Sequence, residues 1–194
     1  MDSFSLRLSV LKDMRLTNSK EKSDFFQFKE KALYGQITVR ADAQNKEYTN
    51  KIRKLLNIET LPLQVNDTRI TSSLKIFCLK PNEWLITTLP NHEKKLMADL
   101  LDNFIGLHAY AINVTEQKTI INLQGTKIID ILNKGTSINF HPDYFQPNTC
   151  KQTSFNQINI LLYRYQDLQE FDLYIERSCA KYFWLWFETQ QKYY

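Results

Sequence analysis

The sequence predicts an α+β fold made of two β-α-β-β-α-type, ferredoxin-like halves that share a core. Segments with strand and helix periodicity follow each other in the same order twice along the 194 residues. A helical motif also recurs, since residues 51–60 (KIRKLLNIET) and 127–136 (KIIDILNKGT) share Lys-Ile, a later Leu-Asn and a final Thr at the same spacing. A chain rich in Leu and Ile also produces such matches by chance. The chain is long enough to bury one compact core, and its 43% of hydrophobic residues is typical of globular proteins.

The first half is predicted to span residues 31–115. Its predicted elements are a strand at 36–40, a helix at 46–56, a hairpin of strands at 75–79 and 84–88, a helix through residue 104, and a strand at 109–114. The helix at 46–56 places Tyr48, Ile52, Leu55 and Leu56 on one face. Asn91 is the predicted N-cap of the following helix, and Gly106 its stop.

The second half is predicted to span residues 116–190, with the N-terminal residues 1–30 as a polar arm outside the core. The predicted elements are a strand at 119–123, a helix at 126–133, strands near 149–155, 157–163 and 171–175, and a final helix capped by Ser178. Gly135 is the expected C-terminal glycine of the first of these helices.

Composition narrows the class of protein. The net charge of +4 arises within residues 1–60, where basic and acidic residues alternate, which is typical of a solvated surface and not of a nucleic-acid interface. No apolar run approaches the length of a membrane span. Three widely spaced cysteines favour reduced thiols and a cytoplasmic location over a disulfide framework.

Motifs for cofactor or metal chemistry are missing from the sequence. The four glycines are far apart, so a glycine-rich dinucleotide loop is not formed, and the His and Cys residues lack metal-ligand spacing. Cys150 and His141 are a conceivable thiol and base, although a buried strand cysteine and a His-Pro turn explain them more simply. The carboxylate pair Glu170 and Asp172 is interpreted as solvated, and so is the pair Asp99 and Asp102.

Candidate partner-contact residues lie near the C-terminus. The final helix is expected to bury a stripe of apolar residues at Cys179, Tyr182, Phe183 and Trp186. Trp184 and Leu185 fall outside this stripe, so Trp184 is either covered by another part of the chain or anchors a partner. Arg177 is predicted to bind a carboxylate or phosphate, or to form an ion pair with Asp172 or Glu176.

The loop at residues 139–149 carries two further aromatic candidates. Two prolines stiffen this loop, so an exposed Tyr144 would be held ready to contact a partner. The alternative is that the aromatic residues plug the core beneath the loop. We favour the plug for Phe145, and both alternatives stay open for Tyr144.

Four segments occur in a recognisable order: residues 33–40 (LYGQITVR), 79–85 (LKPNEWL), 114–119 (VTEQKT) and 134–187. Together they resemble the gamma subunit of heterotetrameric sarcosine oxidase. The chain departs from the family pattern at Thr136, where Cys is common, and at Asn139 and Phe140, since Asp often precedes the following His-Pro pair. The resemblance implies a fold similar to the folate-binding fold of the glycine-cleavage T-protein.

The resemblance also implies a function. The family's complex oxidises sarcosine to glycine with O2, giving H2O2 and 5,10-methylenetetrahydrofolate. FAD, FMN and NAD belong to its alpha and beta subunits, zinc belongs to the delta subunit, and the gamma subunit has no assigned catalytic residue. We therefore expect a non-catalytic gamma subunit that stabilises the flavin-bearing subunits. The alternatives are a stand-alone folate-binding protein of the iron-sulfur maintenance type and, last, a small hydrolase that uses Cys150 and His141.

Overall fold

The structure, a computed structural model, describes residues 8–15 and 24–193. Its strands are β1 (Gln27–Glu30), β2 (Gly35–Ala41), β3 (Thr68–Ile70), β4 (Leu74–Lys80), β5 (Glu83–Thr88), β6 (Ala109–Asn113), β7 (Lys118–Gln124), β8 (Cys150–Phe155), β9 (Ile158–Arg164) and β10 (Glu170–Glu176). Its helices are α1 (Lys12–Arg15), α2 (Lys46–Leu56), α3 (Glu93–Phe104), α4 (Ile128–Leu132) and α5 (Ala180–Gln191), with a 3₁₀ turn at Arg177–Cys179.

The strands form two five-stranded antiparallel sheets. The first sheet has the order β3-β4-β5-β2-β6, and the second has the order β1-β7-β10-β9-β8. Each sheet packs its helices on one face and faces the other sheet with its opposite face, so the molecule has four layers. The predicted α+β fold with two halves sharing a core is thereby confirmed.

Alternation along the strands builds these layers. In β4, Ile76 and Cys78 contact the helix side of the first sheet, whereas Phe77 points between the sheets. In β10, Leu173 faces the helices and Tyr174 faces the first sheet, where its ring lies 5.2 Å from that of Phe77. One-residue alternation therefore supplies both a helix-facing core and an inter-sheet core.

Helix α2 begins at the predicted residue, where Asn45 Oδ1 accepts hydrogen bonds from two backbone N–H groups of the first turn. The N-caps of α3 and α5, in contrast, were predicted at the wrong residues. Asn91, the predicted cap of α3, instead adopts a left-handed conformation with φ 66° in the preceding turn, so His92 flanks the helix. Ser178 lies within the 3₁₀ turn and makes no capping bond, because that turn inserts before α5.

Gly135 is needed for a different reason from the predicted one. It lies three residues beyond α4 and does not adopt the left-handed conformation of a C-terminal glycine. A Cβ atom at this position would stand 2.2 Å from ring atoms of Phe155. Close approach of an aromatic ring, and not a helix stop, therefore demands glycine.

The prediction that residues 1–30 lie outside the core is wrong for the part that the structure describes. Strand β1 pairs with β7 at the edge of the second sheet, and Leu11 and Phe26 are fully buried. The physical reason is that the apolar side of α5 needs a cover. The ring of Phe26 provides it, with its centroid 5.8 Å from that of Phe187. Residues 1–7 and 16–23 lie outside the described residues, and the division at residues 31–115 and 116–190 stays a proposal. Among the described helices, none combines the length and apolar character needed to cross a membrane.

Candidate functional site

A buried charge cluster joins the two sheets. At its centre is Asp172 of β10, which is 1% exposed, so the interpretation of this carboxylate as solvated is wrong. The alternation of β10 turns Asp172 toward the first sheet, where Lys75 of β4 meets it. Lys31 reaches it from the residue directly after β1. One carboxylate thus links the second sheet to a strand of the first.

The oxygens of Asp172 receive four donors. Lys31 Nζ lies 2.8 Å from Oδ1, and Lys75 Nζ lies 2.6 Å from Oδ2. Asn122 Nδ2 donates to Oδ1 at 2.9 Å, and the Tyr165 hydroxyl donates to Oδ2 at 2.7 Å. Burial alone would raise the pKa of Asp172, but the two ammonium charges and their hydrogen bonds outweigh it and lower that pKa below its ordinary value.

The pKa values of two residues that contact Asp172, Lys75 and Tyr165, are shifted as well. Burial lowers the pKa of Lys75, and the nearby Lys31 charge adds to this, while the Asp172 charge offsets part of the effect. Burial and the Asp172 charge raise the pKa of Tyr165, whose hydroxyl also accepts hydrogen bonds from both lysines. The side chains of Lys31 and Lys75 keep 19% and 18% exposure. The cluster is therefore buried at its carboxylate and reachable at its ammonium groups.

The reachable side of the cluster opens onto a cavity of about 150 Å³ between the sheets. Hydroxyl groups line it from the β3–β4 turn at residues 71–73 and from the end of β5, at Thr87 and Thr88. The hydroxyls of Thr87 and Tyr174 are buried beside each other, and neither makes a close hydrogen bond to any other described residue. The cavity wall is thus rich in hydrogen-bonding groups.

Trp184 was predicted to lie outside the buried stripe of the last helix, and this prediction is wrong. It is 2% exposed, its ring packs edge-on against Phe28 at 4.8 Å, and its Nε1 donates to Glu188 Oε1 at 2.9 Å. The helix buries Ala180, Phe183, Trp184, Phe187 and Gln190. The stripe is rotated by one residue from the predicted one, because strand β1 covers the side that the sequence left unassigned.

Two candidate contact residues are on the surface. Leu185 is 45% exposed on the outer side of α5, and Tyr144 is 65% exposed at the tip of its loop. Phe145 beside it is fully buried, which confirms its interpretation as a plug. The buried Arg164 donates from Nη1 to the carbonyls of Phe140 and Phe145, each at 2.7 Å. This guanidinium fixes the backbone on both sides of the exposed part of the loop.

Arg177 forms an ion pair with neither of the two acids expected for it. Its Nη1 pairs with Glu116, and its Nη2 donates to the carbonyl of Leu8 at 2.6 Å. Glu176 pairs instead with Lys118 across the sheet, and Asp172 belongs to the inter-sheet cluster. Arg177 therefore ties the described N-terminal residues to the start of the second half.

The thiol and imidazole considered for hydrolysis make separate contacts. Cys150 is fully buried, its Sγ contacts the Asn66 carbonyl at 3.3 Å, and burial raises its pKa to about 12. His141 is exposed and lies 3.4 Å from Asp143. This thiol stays protonated near neutral pH, which argues against a nucleophilic role. Among the described residues, no three His, Cys, Asp or Glu side chains converge as a metal site would require.

A model of the sarcosine oxidase, gamma subunit family matches residues 40–192. The chain belongs to this family. Heterotetrameric sarcosine oxidase from Corynebacterium sp. U-96, solved in complex with pyrrole 2-carboxylate, contains a similar chain with a TM-score of 0.83 and 19% identity, covering 94% of this chain and 93% of that one. Comparison with curated proteins by sequence gives no match.

The glycine cleavage system aminomethyltransferase T from Bartonella henselae shares the fold, with a TM-score of 0.65 and 13% identity. The match covers 92% of this chain and 48% of that one, so the gamma-family chain spans about half of the transferase. Membership makes the chain a gamma-type subunit of an oxidoreductase complex that contains other subunits.

Sequence reasoning missed the inter-sheet cluster of this gamma-family protein. The signal was present in β10, where Phe171, Leu173 and Ile175 mark one buried face and Tyr174 marks the other as apolar too. A strand with two apolar faces is covered on both sides, so the acid at position 172 had to be buried and paired.

Proposed function

We propose that this chain is the non-catalytic gamma subunit that packs against the flavin-bearing alpha and beta subunits of a heterotetrameric sarcosine oxidase and stabilises them. The complex would oxidise sarcosine to glycine with O2, giving H2O2 and 5,10-methylenetetrahydrofolate. The observation that carries the proposal is the family match over residues 40–192. The cofactors FAD, FMN and NAD would be bound by the alpha and beta subunits, and zinc by the delta subunit.

Tetrahydrofolate does not fit the cavity between the two sheets. Pockets for ligands of that size measure roughly 300–1,000 Å³, whereas this cavity has about 150 Å³ and ends on an ion-pair cluster. We therefore derive no folate-dependent step through this cavity. A titration of the purified chain with tetrahydrofolate discriminates the alternative, because micromolar binding would favour a stand-alone folate-binding protein.

The proposed partner surface includes Leu185 on α5 and Tyr144 on its loop. Both are exposed, and aromatic and aliphatic anchors at the centre of an interface contribute most to affinity. The anchoring of the loop by Arg164 supports a role for Tyr144, because a fixed loop loses little conformational entropy on binding. Trp184 is withdrawn from the proposed surface, since the chain itself covers it, and Arg177 is engaged within the chain.

Co-purification of the subunits tests this surface. The chain carries an affinity tag and is co-expressed with the other subunits as wild type, Tyr144→Ala or Leu185→Asp. We expect both variants to recover less of the flavin-bearing subunits. Ile105→Asp serves as the control, because Ile105 is an apolar residue of the first half that is even more exposed than Leu185 and Tyr144. Undiminished recovery with both variants would place the interface elsewhere. We propose a cytoplasmic location for the complex, which three free cysteines support.

A further inference from the structure

We infer that the cavity between the two sheets binds a short-chain carboxylate. The binding groups would be the ammonium group of Lys75 and the hydroxyls of Thr87 and Tyr174, with the Lys31 charge beside them; all four residues line this cavity of about 150 Å³. This site is separate from the proposed partner surface, so it does not depend on assembly of the complex.

The cluster has more donors than it uses. Each ammonium group carries three N–H donors, and among the described residues both lysines bond only to Asp172 and the Tyr165 hydroxyl. Lys75 therefore keeps one N–H donor that an acceptor in the cavity can use, whereas the three N–H groups of Lys31 face both Asp172 oxygens and the Tyr165 hydroxyl. The buried hydroxyls of Thr87 and Tyr174 lie beside each other and make no close hydrogen bond to other described residues, so together they offer at least one further donor. A ligand with at least two acceptor oxygens can accept hydrogen bonds from these donors on the cavity wall.

The charges point to an anion. Two ammonium groups face the single carboxylate of Asp172, and the other nearby acid, Glu170, accepts from Asn122 and does not line the cavity. Both Asp172 oxygens already accept at least two hydrogen bonds or ion pairs, so they have no free position for a cation. Charge-assisted hydrogen bonds from ammonium to carboxylate are about twice as strong as neutral ones.

The volume of the cavity and the apolar residues in its wall favour a small ligand with a short apolar part. The volume lies below the roughly 300 Å³ at which pockets for drug-sized ligands begin. Leu74, Leu89 and Ile120 line the cavity beside the polar groups and would contact a methyl or methylene group. Acetate has this combination of two acceptor oxygens and one methyl group, whereas benzoate carries the same charge on a larger ring.

Ligand-observed NMR on the purified full-length chain tests the inference. Sodium acetate is titrated at constant ionic strength, and saturation transfer from the protein to the acetate methyl group is measured. We expect saturable binding that benzoate does not displace. Lys75→Met should weaken it about tenfold, and the near-isosteric Thr87→Val about threefold to tenfold, from the loss of one charge-assisted or one neutral hydrogen bond.

Lys118→Met is the matched control, because Lys118 pairs with Glu176 and does not line this cavity. It should bind acetate like wild type. Thr87→Val keeps the test decisive if Lys75→Met fails to fold. Non-saturable transfer, full displacement by benzoate, or unchanged affinity in Thr87→Val would each overturn the inference. None of these results would alter the proposal about assembly, since the measurement uses the chain alone.

Discussion

Replacing Asp172 by Asn should sharply destabilise the chain. Asp172→Asn keeps the size of the side chain but leaves Lys31 and Lys75 facing each other without the carboxylate that both contact at 3.0 Å or less. Removing one partner of a buried ion pair costs roughly 3–5 kcal/mol. The two lysines keep 19% and 18% exposure, so we expect the lower end, about 3 kcal/mol.

The pH dependence of this stability difference tests the same ion pairs, and its direction follows from the lowered pKa of Asp172. The pKa of Asp172 is lower in the folded chain than in the unfolded one, where it is about 3.9. Its stabilising contribution is therefore complete above the unfolded pKa and is lost as the pH falls through the folded pKa. The difference between wild type and Asp172→Asn should be largest at neutral pH and should narrow in acid.

Urea denaturation at pH 7 and at about pH 2.5 measures this difference, since the Asp172 contribution is lost only below its unfolded pKa of about 3.9. The matched control is Glu176→Gln on the same strand, which breaks the pair with Lys118 at the sheet surface and should cost at most about 1 kcal/mol. A cost for Asp172→Asn no greater than that of the control would refute the view that this carboxylate holds the two sheets together.

Three further outcomes are expected. Trp184→Ala should lower the free energy of unfolding by about 3–5 kcal/mol in urea denaturation, because it empties a buried site; a loss below about 1 kcal/mol would contradict this burial. Gly35→Ala should cost about 1–3 kcal/mol in the same assay, since its Cβ would stand 2.3 Å from Thr88 Oγ1; unchanged stability would contradict the packing. Iodoacetamide at pH 8 should modify Cys179 well before Cys150, whose pKa is about 12, as read by mass spectrometry; equal rates would contradict the burial of Cys150.

The elements that could be predicted from the sequence are those with local causes. Helix α2 was predicted with the bounds that the structure shows, because its apolar face arises from the spacing of residues that are close together in the sequence. The hairpin of β4 and β5 was predicted for the same reason, since a turn with Pro81 and Asn82 separates two apolar segments.

The features that escaped prediction depend on which surfaces meet. The rotation of the buried stripe in α5 follows from strand β1, which is distant in sequence and covers Trp184 through Phe28. The burial of Asp172 follows from the packing of one sheet on the other; the two apolar faces of β10 indicate that it is covered, but they do not reveal which lysines meet it. Because such contacts join residues far apart in the chain, local patterns indicated the layers but not their partners.

Turnover measured with and without this chain tests the central claim most directly. The other subunits are co-expressed in its absence and presence, and flavin content and tetrahydrofolate-coupled sarcosine oxidation are measured per complex, beside the chain alone. The account predicts a loss of assembled, flavin-loaded complex without the chain, its recovery when the chain is restored, and no turnover by the chain alone. Full flavin content and turnover in its absence, or sarcosine oxidation by the isolated chain, would contradict it.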